Sequence, residues 1–144
     1  MSKVPSHSPT HEDIELGRLA SMGLELEDIA TDDVVKLADI VELAEDRGRP
    51  PSHYVAAVTL ATDLRIAPHD AAMTLKICAG NCQRYGALDL IDALIAKQAN
   101  VTWLPVDCLD RCDQAPACEL HGDHGVLVIA PATAGAITEA LNTL

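Results

Sequence analysis

The spacing of apolar residues changes from a helical period to a strand period at about residue 70. Before that point apolar positions recur every three or four residues, which predicts three helices. These run from a cap at Thr10 to near Met22-Gly23, from after Thr31 to a stop at Gly48, and from Pro50 to about Leu64. The second is expected to hold Asp32 and Asp33 in its first turn and Val34 on its apolar face. Residues 10–70 are thus predicted to form a small helical bundle, and residues 1–9 are predicted to form a disordered tail before it.

After residue 70 short apolar runs alternate with turn residues, which indicates strands. Strands are predicted over Thr74–Cys78, Val101–Asp107, Ala117–His121 and Gly125–Ala130, and helices over Tyr85–Gln98 and 132–144. The order is β-α-β-loop-β-β-α. A helical crossover makes the first two strands parallel, and Gly122-Asp123-His124 turns the last two into a hairpin. This order describes an α/β, thioredoxin-like sandwich over residues 71–144.

Composition narrows the class of protein. Apolar residues make up 49% of the 144 positions, so a sizeable core is expected, but one Trp, two Tyr and no Phe mean that aliphatic residues must fill it. No apolar run approaches the roughly 20 residues that cross a bilayer, and the first residues lack the apolar stretch of a signal peptide. The expected location is the cytoplasm, where clustered cysteines more often bind metal than form disulfides.

The charge is strongly acidic, with 22 acidic and 10 basic residues giving a formal net charge of −12. The first 70 residues contain 14 acidic and 6 basic residues, and the remainder 8 acidic and 4 basic. Phosphate backbones would be repelled, so nucleic acid is excluded as the expected partner. Solubility alone explains such a surface, and so does docking onto a basic protein partner.

The main candidate chemistry lies in four cysteines that form two close pairs. They occur as Cys78-Ala-Gly-Asn-Cys82 and Cys108-Leu-Asp-Arg-Cys112, and each pair begins at or just after the end of a predicted strand. If the two strands are parallel neighbours, both loops lie beyond the carboxyl ends of the strands, where open α/β folds place their sites. Four thiolates there can hold an iron–sulfur cluster or a structural zinc, and spacing alone does not decide between them.

The two stretches resemble a known family. Cys82-Gln-Arg-Tyr-Gly86-Ala87 and Cys108-Leu-Asp-Arg-Cys112-Asp-Gln-Ala115-Pro116 are similar to the thioredoxin-like [2Fe–2S] ferredoxins. That family includes the small iron–sulfur subunit of complex I and its equivalents in NAD-linked hydrogenases and formate dehydrogenases. The likeness covers roughly residues 74–130, and the second stretch is its most specific part. Three residues separate Cys78 from Cys82, where complex I-type members usually have four.

The resemblance implies a [2Fe–2S] cluster with Cys78, Cys82, Cys108 and Cys112 as its metal ligands. It implies a one-electron carrier that is a subunit of an NAD(H)-linked flavin/iron–sulfur oxidoreductase, rather than a catalyst alone. The implied partner is a flavin- and NAD-binding subunit, so a hetero-oligomer without membrane insertion is expected. The helical segment over 10–70 is expected to pack on that partner.

Three alternatives to this interpretation stay open. One is a zinc-stabilised adaptor without redox chemistry; the second is a standalone thioredoxin-like ferredoxin. The third is a thiol–disulfide oxidoreductase, although Cys-x-x-x-Cys replaces the usual Cys-x-x-Cys. Cys118 is predicted to be a core residue. Neither a nucleotide-binding glycine motif nor a nucleophile–base pair is recognisable in the sequence, so NAD or flavin chemistry would belong to another chain.

Overall fold

The computed structural model describes residues 14–68, 73–79, 86–97, 101–106, 117–122, 125–129 and 132–143. Within these ranges the chain is mixed α/β, with five helices and two small sheets. The elements in chain order are α1 (Leu16–Ile29), β1 (Val34–Val35), α2 (Leu37–Arg47), α3 (Pro51–Ala61), β2 (Arg65–Ile66), β3 (Thr74–Cys78), α4 (Ala87–Ala96), β4 (Thr102–Val106), β5 (Cys118–Gly122), β6 (Gly125–Ile129) and α5 (Ala134–Thr143). The predicted tail over 1–9 and the predicted cap Thr10 lie outside the described residues.

The prediction for the first helix was wrong at its described end. Helix α1 continues past Met22-Gly23 to Ile29, and it begins at Leu16 after an extended Glu15. Gly23 lies within the helix, at a place where α1 closely contacts α3. A Cβ built on it would lie 3.1 Å from both the Cβ and the carbonyl oxygen of Ala61, at the end of α3. The missing side chain therefore lets α1 and α3 approach closely, a role that a breaker rule does not anticipate.

The start of the second helix was also wrong. Thr31 and Val34 exchange two backbone hydrogen bonds of 2.9 and 3.0 Å around Asp32 and Asp33, which have φ values of 53° and 64°. Both central residues of a type I′ hairpin turn have positive φ, and this turn leads into β1 rather than into a helix. Helix α2 starts only at Leu37. Its predicted stop is confirmed, since Gly48 adopts the left-handed conformation with φ 66°.

Helix α3 confirms the third prediction except at its end. It stops at Ala61 rather than Leu64, and the Thr62 hydroxyl there donates to the carbonyl oxygen of Val58 at 2.6 Å. The amide of Leu64 in turn donates to the same hydroxyl oxygen at 3.0 Å. The chain then extends into β2, which pairs in parallel with β1 and forms the smaller sheet. The N-terminal segment thus contains a strand pair as well as helices.

The strands after residue 70 confirm the prediction closely. The larger sheet has the order β4-β3-β5-β6, with β3 parallel to β4 through the α4 crossover and with β5 antiparallel to both β3 and β6. Side chains alternate between the two faces. One face is mostly buried; its members are Leu75, Ile77, Trp103, Pro105, Cys118 and Leu120. On α4 the side chains of Leu88, Ile91 and Leu94 are buried, and Ile95 packs beside them.

One continuous core joins the helical segment to the sheet. The buried cluster runs from Leu19, Met22 and Leu26 of α1 through Tyr54 of α3 to the sheet and to Ile137 of α5. Helix α3 lies at its centre, because its residues 54–58 are all buried and it contacts α1, α2, α4 and β4. Among the described helices, none is long and apolar enough to span a membrane.

Candidate metal centre

Cys78 occupies the end of the central strand β3. In the parallel register Cys78 lies opposite Val106, the last residue of β4, so both strands end at one edge of the sheet. This confirms the predicted arrangement of the strands. Cys108 follows Val106 by two positions and Cys82 follows Cys78 by four, so both lie in the segments that continue from this edge.

The same edge also receives the start of β5. The amide of Ala79 donates to the carbonyl oxygen of Val106 at 2.7 Å, and the amide of Cys78 donates to the carbonyl oxygen of Ala117 at 3.4 Å. Val106 and Ala117 bound the segment 107–116, which contains Cys108 and Cys112. Both ends of that segment are therefore anchored beside Cys78.

Helix α4 bounds the other cysteine-bearing segment. Residues 80–85 connect Ala79 to Gly86, the residue that precedes α4, and they include Cys82. Gly86 has φ 97°, a left-handed backbone conformation that residues other than glycine rarely adopt. Its carbonyl oxygen accepts the first helical hydrogen bond from Leu90 at 2.9 Å. The glycine of the Cys-x-x-x-Gly-Ala stretch is therefore required by the entry into the helix.

The described part of the site contains one of the four predicted ligands. Cys78 is 1% exposed, between the buried residues Ile77 and Ala79. Cys82, Cys108 and Cys112 lie outside the described residues, and so do the acidic residues and Arg111 of the second loop. Within the described ranges no three His, Cys, Asp or Glu side chains form a group that could hold a metal ion.

Cys118 belongs to the core, as predicted. It pairs in register with Ile77, so its side chain lies on the opposite sheet face from that of Cys78. Burial, assisted by the nearby carboxylate of Glu119, raises the pKa of the Cys118 thiol to about 12. A thiol that stays protonated and lies on the other side of the sheet is a poor candidate for the ligand set of Cys78.

The histidine of β5 lies at the far end of the sheet from Cys78. His121 is opposite Thr74, the first residue of β3, which is four positions or roughly 13 Å along the strand from Cys78. Its Nε2 atom lies 2.9 Å from Oε1 of Glu119. His121 therefore lies far from Cys78 and is paired with Glu119.

Sequence reasoning missed a contact that positions α4. The carboxylate of Asp92 accepts two hydrogen bonds of 2.8 Å from Ser52, one from its amide and one from its hydroxyl. Ser52 lies in the first turn of α3 and is fully buried, so the carboxylate satisfies a helix N-terminus. The available signal was an aspartate within the otherwise apolar run Leu-Ile-Asp-Ala-Leu of α4.

A second missed cluster holds the N-terminal helices together. Glu25 of α1 accepts hydrogen bonds from Arg49 and from the hydroxyl of Tyr54, both at 3.0 Å, and it forms a 2.7 Å ion pair with Arg47. Arg49 also donates to the Tyr54 oxygen at 3.1 Å. Burial is the main cause that raises the pKa of Tyr54. Both carboxylate oxygens of Glu25 thus contact side chains of the neighbouring segments, which makes this cluster structural.

Compared with known proteins, the chain matches no protein family and no curated relative.

Proposed function

We propose that this protein is a one-electron carrier that holds a [2Fe–2S] cluster with Cys78, Cys82, Cys108 and Cys112. The observation that carries the proposal is the anchoring of Val106 and Ala117 on either side of Cys78-Ala79. Because of it, both segments that contain the other three cysteines start from one edge of the sheet.

The chemistry of the donor set fits such a group. Four thiolates in two close pairs suit a cluster with two sulfur ligands for each iron. Val106, which precedes Cys108 by two positions, lies opposite Cys78 in the register, and two residues of chain span at most about 7 Å. The side chain of Cys118 lies on the opposite sheet face from that of Cys78, which argues against Cys118 as a ligand. A cluster held here supplies one-electron redox chemistry.

The topology supports a thioredoxin-like fold for residues 71–144. Two parallel strands joined by α4 lie beside an antiparallel hairpin, and α5 packs against α4 at the end of the chain. With β3 and β5 as the inner strands, this is the arrangement expected from the order β-α-β-loop-β-β-α. The ferredoxin family proposed for the chain has the same order.

The proposed partner is a flavin- and NAD-binding subunit of an oxidoreductase. The family resemblance suggests this partner, and the acidic charge of the chain would suit a basic docking surface on it. Residues 15–47, from the residue that precedes α1 to the end of α2, contain 10 acidic and 3 basic residues. Most of these acids are exposed. A standalone ferredoxin remains the alternative within the same chemistry.

The decisive test is the metal content of the full-length protein purified anaerobically. We expect a visible absorption spectrum that bleaches on reduction, with about two iron and two sulfide per chain. Stoichiometric zinc in a colourless protein would instead establish the adaptor alternative, since zinc has no visible transitions. A colourless and metal-free chain after anaerobic reconstitution would leave the thiol–disulfide alternative.

Two alanine variants form a matched pair for the ligand assignment. C78A and C118A each remove one buried thiol, and the two residues lie on adjacent strands one register position apart. We expect C78A to lose the cluster and C118A to retain it with an unchanged spectrum. Equal retention in both variants would contradict the assignment of Cys78.

The partner proposal has its own readout. A tagged chain isolated from its native cells at low salt should co-purify with flavin and with NADH-oxidising activity, and both should dissociate as salt is raised. A cluster-bearing chain that brings neither flavin nor this activity would favour the standalone ferredoxin.

A further inference from the structure

Strand β6 is an exposed edge strand. Among the described residues it pairs with β5 only, so its other side presents unpaired backbone groups. Its apolar side chains are exposed on both faces of the sheet: Val126 is 56%, Leu127 42% and Val128 40% exposed. A strand at the end of a sheet with one covered face would normally bury the middle of these three.

The usual protections of an edge strand are missing from β6. Its sequence is Gly-Val-Leu-Val-Ile, without a charge or a proline, and its register with β5 is continuous from Gly122–Gly125 to Cys118–Ile129, without a bulge. Natural proteins place lysine, proline or a bulge at open edges to prevent pairing with another chain. The absence of all three within β6 leaves this edge open to pairing with another strand.

We propose that β6 pairs with β6 of a second copy of this chain, antiparallel about a two-fold axis at Leu127. The sequence is self-complementary in that register. Val126 faces Val128 of the second copy, Leu127 faces its own equivalent, and Gly125 faces Ile129. Each pair is apolar, and aliphatic cross-strand pairs stabilise antiparallel ladders. The two sheets then form one sheet of eight strands.

Local charge does not oppose a second copy at the β6 edge, whereas it does oppose one along α1 and α2. The 10 acidic residues over 15–47 would repel an identical surface. In β5 and β6 the charged groups are Glu119 and His121, which already contact each other at 2.9 Å. Copies that repel through their helices can therefore still meet through β6. The contact is separate from the proposed metal function, because β5 lies between β6 and the strand that bears Cys78.

One strand pair buries less surface than a standard interface, so we expect a weak dimer with a dissociation constant of roughly micromolar size. Sedimentation velocity of the full-length protein over a concentration series should show the mass rising from 15.3 kDa towards twice that value. A mass that stays at 15.3 kDa at protein concentrations up to about 300 µM would overturn the proposal.

Lysines at the edge test the surface. The double variant V126K/V128K places like charges opposite each other across the proposed axis, and we expect dissociation to increase roughly tenfold or more. L104K is the matched control, since Leu104 is 44% exposed on the same sheet face but lies on β4, at the other edge. Lysine makes the net charge less negative and lowers general repulsion, so overall charge cannot account for dissociation.

A single cysteine tests the register. Leu127 and Leu104 are nearly equally exposed, and only L127C places its thiol on the proposed axis. Facing residues in an antiparallel pair lie close enough for a disulfide. Mild oxidation should cross-link L127C into a dimer above the background given by wild type, and should leave L104C at that background. If V126K/V128K fails to fold by circular dichroism, the single variant V126K replaces it, since it still places a charged group against the apolar Val128 of the second copy. Dimers that survive in a folded edge variant, or equal cross-linking of both cysteine variants, would overturn the proposal.

Discussion

The contact between Ser52 and Asp92 makes a quantitative prediction about how the helical segment is attached to the sheet domain. D92A removes both oxygens that accept hydrogen bonds from Ser52 at 2.8 Å. Ser52 is fully buried, so its amide at the start of α3 and its hydroxyl would lose their partner without reaching water. Alanine leaves the hydrophobic contacts of α4 unchanged.

The magnitude follows from these two bonds. A hydrogen bond to a charged group contributes about 1.5–3 kcal/mol, and a lost helix N-terminal partner costs about 0.5–2 kcal/mol. Asp92 is only half-buried, so the variant recovers part of the energy spent in desolvating the carboxylate. We therefore expect D92A to lower the free energy of unfolding by about 2–4 kcal/mol.

The assay is urea unfolding followed by far-ultraviolet circular dichroism. With a slope near 2 kcal/mol per molar, D92A should shift the midpoint by roughly 1–2 M. S52A removes only the hydroxyl bond and should cost about 1 kcal/mol, since the Ser52 amide still contacts Asp92. The double variant should show a coupling energy of about 1 kcal/mol. A D92A variant within about 0.5 kcal/mol of wild type, or strictly additive single effects, would refute the reasoning.

Three further predictions concern positions where the local geometry sets the sign. G23A should destabilise the protein by about 1–2 kcal/mol because its Cβ would lie 3.1 Å from Ala61. G17A lies on the same helix with nothing within 4 Å of the added Cβ, so it should stabilise the protein by about 0.5–1 kcal/mol. Equal urea midpoints for the two variants would contradict the close contact at Gly23. D33G should raise the unfolding free energy by about 0.5 kcal/mol, because φ is 64° at the second central position of the turn, and a lowered midpoint would argue against a type I′ turn. The raised pKa of Cys118 means that the unfolded chain loses this proton first as pH rises. Stability should therefore fall between about pH 9 and 12, by roughly 1 kcal/mol per unit, and C118A should remove this part of the decline; parallel curves for the two proteins would contradict it.

Strong, continuous patterns were predictable from the sequence. Thr74–Cys78 was predicted with both of its bounds, since an apolar run ended by turn residues has few alternative structures. The parallel pairing of β3 with β4 follows from the helical connection between them, since an antiparallel pair needs only a short turn. These two features place Cys78 at its edge, so a central part of the candidate site was accessible from the order of elements alone.

Local rules failed where tertiary contacts decide the conformation. The sequence predicts a helix stop at Gly23, but this glycine lies within a continuous helix at the point where α3 approaches closely. The sequence also predicts Asp32 and Asp33 in the first turn of a helix, a position that acidic residues favour. Pairing of β1 with β2, some thirty residues away in the sequence, instead selects a turn with two positive φ values. Neither contact is encoded within the window of residues that a pattern covers.

The hydrogen bonds that flank Cys78 have a consequence for assembly of the proposed centre. Small zinc domains fold only when metal is bound, because nothing else gathers their ligands. In this chain the sheet and its core already hold the strand ends at one edge, so the entropy lost in closing the two cysteine segments is reduced before any metal arrives. We therefore expect the metal-free protein to keep its helices and sheet, with loading and loss of the cofactor confined to one end of the molecule. The scaffold would then be reusable, able to receive a cluster again after damage without passing through an unfolded state.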